Sequence, residues 1–276
     1  MRAALLQTTS GIDPAANATM LADAIASAKR QGADMLFTPE MVGCIDQDRA
    51  RATATLRDEA HDVVLATVRE AAAREGLWVH IGSLGLKDER SDGRWSNRSF
   101  VIDAGGEIRA RYDKIHLFDV DLPDGVSWRE SSVYGPGERA VAVDTPWGRI
   151  GLSICYDLRF ADLYRRLSDA GATLLLVPAA FTVPTGRAHW ETLLRARAIE
   201  SAAFLLAPAQ TGRHEDGRET YGHSLAIDPW GEVLLDMGEE PGLALVDIDL
   251  ARIDAVRARI PVLTHRRMLE GGVAVL

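Results

Sequence analysis

The sequence predicts one large mixed α/β domain. Three observations carry that prediction. Short apolar runs alternate with amphipathic helical segments, three hairpins with Gly- or Pro-bearing turns are interleaved among them, and no linker or low-complexity stretch divides the chain. The 276 residues correspond to roughly two ordinary domains or one large layered domain. Without a break, the single domain over 1–276 is the expected arrangement.

Ala3 to Gln7 reads as a short buried strand. Asn17 to Arg30 places Met20, Leu21, Ala24, Ile25 and Ala28 at the three-and-four spacing of an amphipathic helix, which Gly32 ends. Asp34 to Phe37 is a second strand, closed by Thr38-Pro39 because proline cannot donate to a ladder. A helix is predicted from Leu56 to Arg74, burying Val63, Val64, Ala66 and Val68 or their neighbours, with a strand from Leu77 to Ile81 after it. Ser99 to Asp103 and Glu107 to Tyr112 form a hairpin about Ala104-Gly105-Gly106. Ala140 to Asp144 and Arg149 to Ile154 form a second about Thr145-Pro146-Trp147-Gly148, and Ser224 to Ile227 and Glu232 to Leu235 a third about Asp228-Pro229-Trp230-Gly231. Between the last two lie a helix near Phe160 to Asp169, a strand Thr173 to Val177, a helix His189 to Ser201 and a strand Ala203 to Ala207. Phe118 to Gly137 is the longest segment with no predicted structure, and loops of that length in compact domains are usually functional or mobile.

Composition narrows the function. A net charge of -9 with no polybasic run speaks against nucleic acid or an anionic membrane as partner. Met1-Arg2 is followed by only four apolar residues, too few for a secretory leader, and no apolar stretch approaches the ~20 residues of a membrane span. Two cysteines, Cys44 and Cys155, make no disulfide framework and suit a reducing cytoplasm. The seven histidines include no His-Glu-x-x-His pair and no metal-ligand spacing with a cysteine, so no metal is expected.

Three reactive side chains share one local context, the end of a predicted strand. Glu40, Lys114 and Cys155 each follow one, and in α/β architectures ligand sites form at strand carboxyl ends. Cys155 would sit at a strand-to-helix bend. A free thiol has a pKa of about 8.5 and needs an adjacent base or cation to become a nucleophile. Glu40, set among apolar neighbours, is expected to have its pKa raised by desolvation toward the range of a general base. Each also has a structural reading: a packing cysteine, a paired glutamate, a surface lysine.

Taken together, the strings around them resemble the nitrilase superfamily of carbon–nitrogen hydrolases, whose signature is a Glu-Lys-Cys triad. The matching strings are Phe37-Thr38-Pro39-Glu40, Tyr112-Asp113-Lys114-Ile115-His116-Leu117 and Gly151-Leu152-Ser153-Ile154-Cys155-Tyr156-Asp157-Leu158-Arg159-Phe160. Further likeness runs through Asn97-Arg98-Ser99, Val177-Pro178-Ala179-Ala180-Phe181, Thr185-Gly186-Arg187-Ala188-His189-Trp190, Arg195-Ala196-Arg197-Ala198-Ile199-Glu200 and Tyr221-Gly222-His223-Ser224, from Ala3 to about Arg267. The chain departs from the family pattern at Ala161, where proline is common, and at Ala179, where serine is frequent.

The resemblance implies a four-layer α-β-β-α sandwich and a cofactor-independent amidase, associating through helix faces into a homodimer. It implies that Glu40 is base and then acid, that Cys155 attacks the amide carbon, and that Lys114 with the Tyr156 backbone N–H holds the oxyanion. Glu130 matches a second, positioning glutamate, with Glu138 as a nearby competitor. Arg159, Phe181 and Thr185 are implied substrate contacts. Within the family the chain looks most like amidases of small carboxylate-bearing amides such as deaminated glutathione and 2-oxoglutaramate. Arg159, Arg187 and Arg195 are candidates for the guanidinium that would meet a substrate carboxylate. Nitrile hydrolysis, N-carbamoyl cleavage and amide transfer on the same triad are the alternatives. Two further rivals are a non-catalytic protein that kept the fold and a Cys155-His189 thiol hydrolase.

Overall fold

The computed structural model describes residues 1–87, 92–121 and 127–267. In chain order the elements are β1 (Arg2–Gln7), α1 (Pro14–Arg30), β2 (Met35–Phe37), α2 (Arg49–Thr55), α3 (Val63–Glu75), β3 (Trp78–Leu86), β4 (Ser96–Ile102), β5 (Ile108–Asp113), β6 (Asp119–Asp121), β7 (Ser127–Arg129), β8 (Ala142–Thr145) and β9 (Gly148–Leu152). They continue with α4 (Ala161–Asp169), β10 (Leu174–Leu176), α5 (Val183–Ser201), β11 (Phe204–Ala207), β12 (Thr211–Arg213), β13 (Glu219–Tyr221), β14 (Leu225–Ile227), β15 (Val233–Asp236), β16 (Gly242–Asp247), α6 (Ala251–Arg259) and α7 (Val262–His265). Single 3-10 turns lie at Glu130–Ser132 and Cys155–Arg159.

Two six-stranded sheets, ordered β16-β1-β2-β3-β4-β5 and β15-β14-β11-β10-β9-β8, form the body. Each has a parallel centre, β1-β2-β3 and β9-β10-β11, flanked by antiparallel strands. The period of two along β1 shows how they stack. Ala4 and Leu6 pack with Leu21, Ile25, Val64 and Val68 of α1 and α3, whereas Ala3 and Leu5 pack with Ile150, Leu152 and Leu175 of the second sheet. α4 and α5 lie against that second sheet. The result is helix, sheet, sheet, helix, the four-layer α-β-β-α sandwich. Among the described residues no helix is long and apolar enough to cross a membrane.

Helix boundaries differ from the sequence reading where caps override periodicity. α1 begins at Pro14 because the Asp13 side chain accepts from Ala15 N, a turn earlier than the apolar repeat suggested. The segment predicted as one helix from Leu56 is broken. Leu56 is buried with extended backbone at φ −67 and ψ 150, and the next helix starts only after Asp62, whose carboxylate accepts from Leu65 N. Consequently Val63 is exposed at the first position of α3, and Val64, Leu65, Val68, Ala71 and Ala72 form its buried face. α5 likewise starts at Val183, with Pro184 in its first turn, so His189 stands inside the helix rather than at its beginning. Phe118 to Gly137 carries the β6-β7 ribbon and a 3-10 turn, while positions 122–126 within it lie outside the described residues.

The core also holds one ionisable group with a measurable consequence. His80, in β3, is fully buried, and desolvation pushes its imidazole down to about 3. Below the ordinary pKa of 6.5 the unfolded chain takes up a proton that the native state refuses, so stability falls as pH drops from 6.5 toward 3, by about 1.4 kcal/mol per pH unit from this residue. His80→Gln is expected to flatten the pH dependence of the melting temperature between pH 6.5 and about 4 relative to wild type. Parallel curves for the two proteins would show that His80 does not carry this term.

Candidate active site

Both parallel centres end on the same side, and the three reactive residues meet there. β2 runs into Thr38-Pro39-Glu40, and this segment is pinned to β3 by Thr38 N donating to His80 O and by Gly82 N donating to Thr38 Oγ1. Gly82 is required sterically. A Cβ at that position would lie 2.1 Å from Thr38 O, 2.4 Å from Pro39 O and 2.5 Å from Pro178 Cβ. The absence of a side chain there brings the Glu40 loop of one sheet against the Pro178 loop of the other. Pro178 O in turn accepts from Cys155 N at 2.9 Å.

Cys155 follows β9 with φ 48, a left-handed conformation that non-glycine residues rarely hold, and Met41 beside Glu40 has φ 53. The bend starts a 3-10 turn. Asp157 N donates to Ile154 O and Cys155 N to Pro178 O, which leaves the Tyr156 N–H as the first-turn donor without an acceptor among the described residues. Asp157, fully buried, locks the turn to the lysine segment. Its carboxylate accepts from Ile154 N at 2.9 Å, Tyr112 OH at 2.6 Å and His116 N at 3.0 Å. His116, whose ring stacks on Phe160 at 3.6 Å, is thus a loop-orienting residue.

Lys114 Nζ donates to Glu40 Oε1 at 2.9 Å and to both Glu130 oxygens at 3.0 and 2.9 Å. Asn97 Nδ2 donates to Glu40 Oε1 at 2.9 Å and to Glu130 Oε1 at 3.2 Å, Phe118 N to Glu130 Oε2 at 2.6 Å, and Ala180 N to Glu40 Oε2 at 2.9 Å. The buried Cys155 thiol lies close enough to Glu40 for the two groups to shift one another's protonation. Glu40, Lys114 and Cys155 are 4 %, 2 % and 8 % exposed. Glu130 pairs with Lys114 rather than with Arg129, and Glu138 is exposed.

The electrostatics correct one expectation. Burial pushes the Glu40 carboxyl up, as anticipated from its neighbours. The charge and hydrogen bond of Lys114, helped by Cys155 and Asn97, outweigh it, and the net direction is below the ordinary carboxylate range. Burial pushes the Cys155 thiol well up, Glu40 adds to that and Lys114 opposes it. Burial would pull Lys114 down, yet Glu130, Glu40 and the neighbouring thiol hold it well above its ordinary value. The resting site is therefore an ionised glutamate, an ammonium and a neutral thiol.

These groups open on a cavity of about 350 Å³, within the usual range for small-molecule sites. Tyr156, Phe181 and Thr185 are among its lining residues. Arg159 is not. Its guanidinium lies 5.9 Å from the Tyr156 ring centroid and 5.5 Å from that of Phe181, facing His189 Nδ1 at 3.3 Å. Arg187 and Arg195 are absent from the lining too, and Arg195 donates to Gly231 O. The lining arginines are Arg49, Arg129 and Arg218, and Cys44 joins them, its thiol pushed up to about 12 by burial and the Asp46 and Asp216 charges. Asn97 and the Ala180 N–H were not anticipated as site groups, although both lie in strings that carried the family resemblance.

Known proteins resemble this chain over most of its length. The carbon–nitrogen hydrolase family model matches residues 2–258. Deaminated glutathione amidase of Yersinia enterocolitica is 45% identical over 204 residues, 74% of this chain and 71% of that protein. The protein of the same name from Synechocystis sp. (strain PCC 6803 / GT-S) is 41% identical over 267 residues, 96% of this chain and 97% of that one. The crystal structure of the Caenorhabditis elegans NitFhit protein, a nitrilase and fragile histidine triad fusion, superimposes with a TM-score of 0.88 at 39% identity, over 96% of this chain and 65% of its own.

Proposed function

The chain belongs to the carbon–nitrogen hydrolase family, and from that premise we propose that it is an amidase of small carboxylate-bearing amides, with deaminated glutathione as the leading substrate and 2-oxoglutaramate next. The observation that carries the reading is one buried thiol and one buried carboxylate on the wall of the same substrate-sized cavity, the carboxylate taking hydrogen bonds from a lysine, an asparagine and a backbone N–H. The names and overall identity of the relatives support the substrate class.

The site's protonation state sets the order of steps. Cys155 starts neutral, so attack on the amide carbon and transfer of its proton to Glu40 belong to one event. Negative charge then builds on the amide oxygen, where Lys114 and the Tyr156 N–H would receive it. Glu40, now protonated, returns the proton to the leaving nitrogen. That nitrogen departs as ammonia from a terminal amide, or as the cysteinyl amine from the γ-linked amide of deaminated glutathione. Glu40 is again a carboxylate and can take a proton from the water that opens the thioester. Glu130 acts through Lys114 and Asn97: it fixes the ammonium and supplies the second negative charge that keeps it protonated. The Cys155-His189 alternative has little geometric support, since His189 is exposed on α5 and faces Arg159.

We read both sheets as one catalytic domain, because both contribute to this network, Glu40, Lys114 and Asn97 from one and Cys155 and Ala180 from the other. Two free cysteines are in keeping with a reducing cytoplasm, and the exposed Ile199 on α5 is in keeping with association through a helix face.

The test is a steady-state panel of deaminated glutathione, 2-oxoglutaramate, simple aliphatic amides, nitriles and N-carbamoyl amino acids. The highest kcat/KM is expected for the carboxylate-bearing amides. A preference for nitriles or carbamoyl compounds by an order of magnitude would move the chain to one of the alternative reactions.

A further inference from the structure

We propose that Arg218 and Trp128 form an anion-accepting subsite of the active cavity that takes a substrate carboxylate remote from the scissile amide. The inference rests on the amidase reading above for the identity of the ligand, but not for the existence of the subsite.

Arg218 is presented by a rigid turn. His214 N donates to Arg218 O, Arg218 N to Asp216 Oδ1, and Gln47 N to Asp216 Oδ2, while the buried His214 ring spans Ser10 O and Thr220 Oγ1. The backbone is thereby fixed from three sides and the side chain enters the cavity lining. Asp216 does not saturate it. Both carboxylate oxygens already accept backbone N–H groups, and the closest approach to Arg218 Nη2 is 3.5 Å. Arg218 Nε is enclosed without an acceptor among the described residues, and so is Trp128 Nε1. The guanidinium lies 4.8 Å from the Trp128 ring centroid, a cation–π contact that orients the planar fork. Two unsatisfied donors on stacked side chains are a rarity in a native structure and point to a missing acceptor. A carboxylate meets the fork of an arginine in bidentate fashion.

The other lining arginines are poorer candidates. Arg129 spends its guanidinium on Val120 O, Trp128 O and Asp121, and Arg49 is exposed. Cys155, Tyr134 and Arg218 line the same cavity, so a substrate held by Arg218 would share that space with the nucleophile.

The experiment reads binding without turnover, by protection of Cys155 against iodoacetamide. The probes are the two halves of deaminated glutathione, 2-oxoglutarate for the acyl side and cysteinylglycine for the leaving side. At least one is expected to protect the wild-type enzyme, with a protection constant weakened tenfold or more in Arg218→Met and several-fold in Trp128→Phe, which keeps an aromatic face and removes the N–H. The half that responds identifies which carboxylate is held. Equal protection in wild type and both variants, or none by either half in wild type, overturns the subsite. The amidase reading fails separately, if wild type turns over none of the carboxylate-bearing amides in the panel. Should Arg218→Met not fold, Trp128→Phe alone decides.

Discussion

Cys155→Ala is expected to lower kcat for every amide substrate by about four orders of magnitude or more, with an unchanged denaturation midpoint to within about 1 kcal/mol. Without the thiol, Glu40 keeps its hydrogen bonds from Lys114, Asn97 and Ala180 N, so alanine leaves the carboxylate satisfied. Glu40→Gln tests the other half of the same step. Its expected loss is about 10²–10⁴-fold. The two variants also separate a neutral thiol activated in the transition state from a preformed thiolate. Because Glu40 is held below the ordinary carboxylate range and the Cys155 thiol well above its ordinary value, kcat/KM should be flat from about pH 5 to about pH 9. The sign is fixed by the base: activity needs ionised Glu40 and declines only as acid protonates it. Cys155 paired with a histidine would instead give an inflection near pH 6.5. Such an inflection, or full turnover by Cys155→Ala, would rule out the Glu40 mechanism.

How much of this site the chain reveals before folding depends on the range of the interaction. Strand ends are local features, so the positions of Glu40, Lys114 and Cys155 at three of them are legible from apolar runs and turn residues. Their contact is not: Lys114 lies 74 positions from Glu40, and the spacing says nothing about the partner that reverses the sign of the carboxyl shift. The strain at Cys155 and Met41 carries no glycine to announce it. Asn97 is quoted in a family string, yet its bridging of the two glutamates becomes visible only when β4 is paired with β5. Trp128 comes from a three-residue strand and Arg218 from the turn before another, with no periodicity to read, whereas Arg159, four residues after the nucleophile, stays out of the cavity lining with its guanidinium near the Tyr156 and Phe181 rings. The break at 56–62 has the same origin as the early start of α1. A single aspartate cap decides where backbone N–H groups find acceptors, and the apolar pattern is indifferent to it.

Lys114→Met should cost both activity and stability, and the two losses can be pulled apart. The ammonium is the only cation in direct hydrogen-bonding contact with both carboxylates among the described residues, and it is nearly fully enclosed, with side-chain exposures of 3% against 6% for Glu40 and 12% for Glu130. Removing it leaves the buried Glu40 and half-buried Glu130 carboxylates sharing Asn97 and repelling each other, at a cost of about 3 kcal/mol. One of them must then bind a proton, which raises the apparent pKa of the pair into the range where kcat/KM begins to fall at neutral pH. Turnover loses the oxyanion partner as well, by about 10²–10³-fold. In the double variant Lys114→Met/Glu130→Gln one negative charge is gone, so chemical denaturation should recover most of the lost stability. Activity should not recover, because neither methionine nor glutamine supplies a positive charge at the amide oxygen. Recovery of turnover along with stability would mean that the lysine serves only to neutralise the glutamates. A double variant as unstable as the single one would mean that the carboxylate pair is not the source of the strain. Restored folding with turnover still lost is the outcome that assigns Lys114 both roles, counter-ion to two glutamates at rest and electrostatic support for the developing oxyanion once Cys155 attacks.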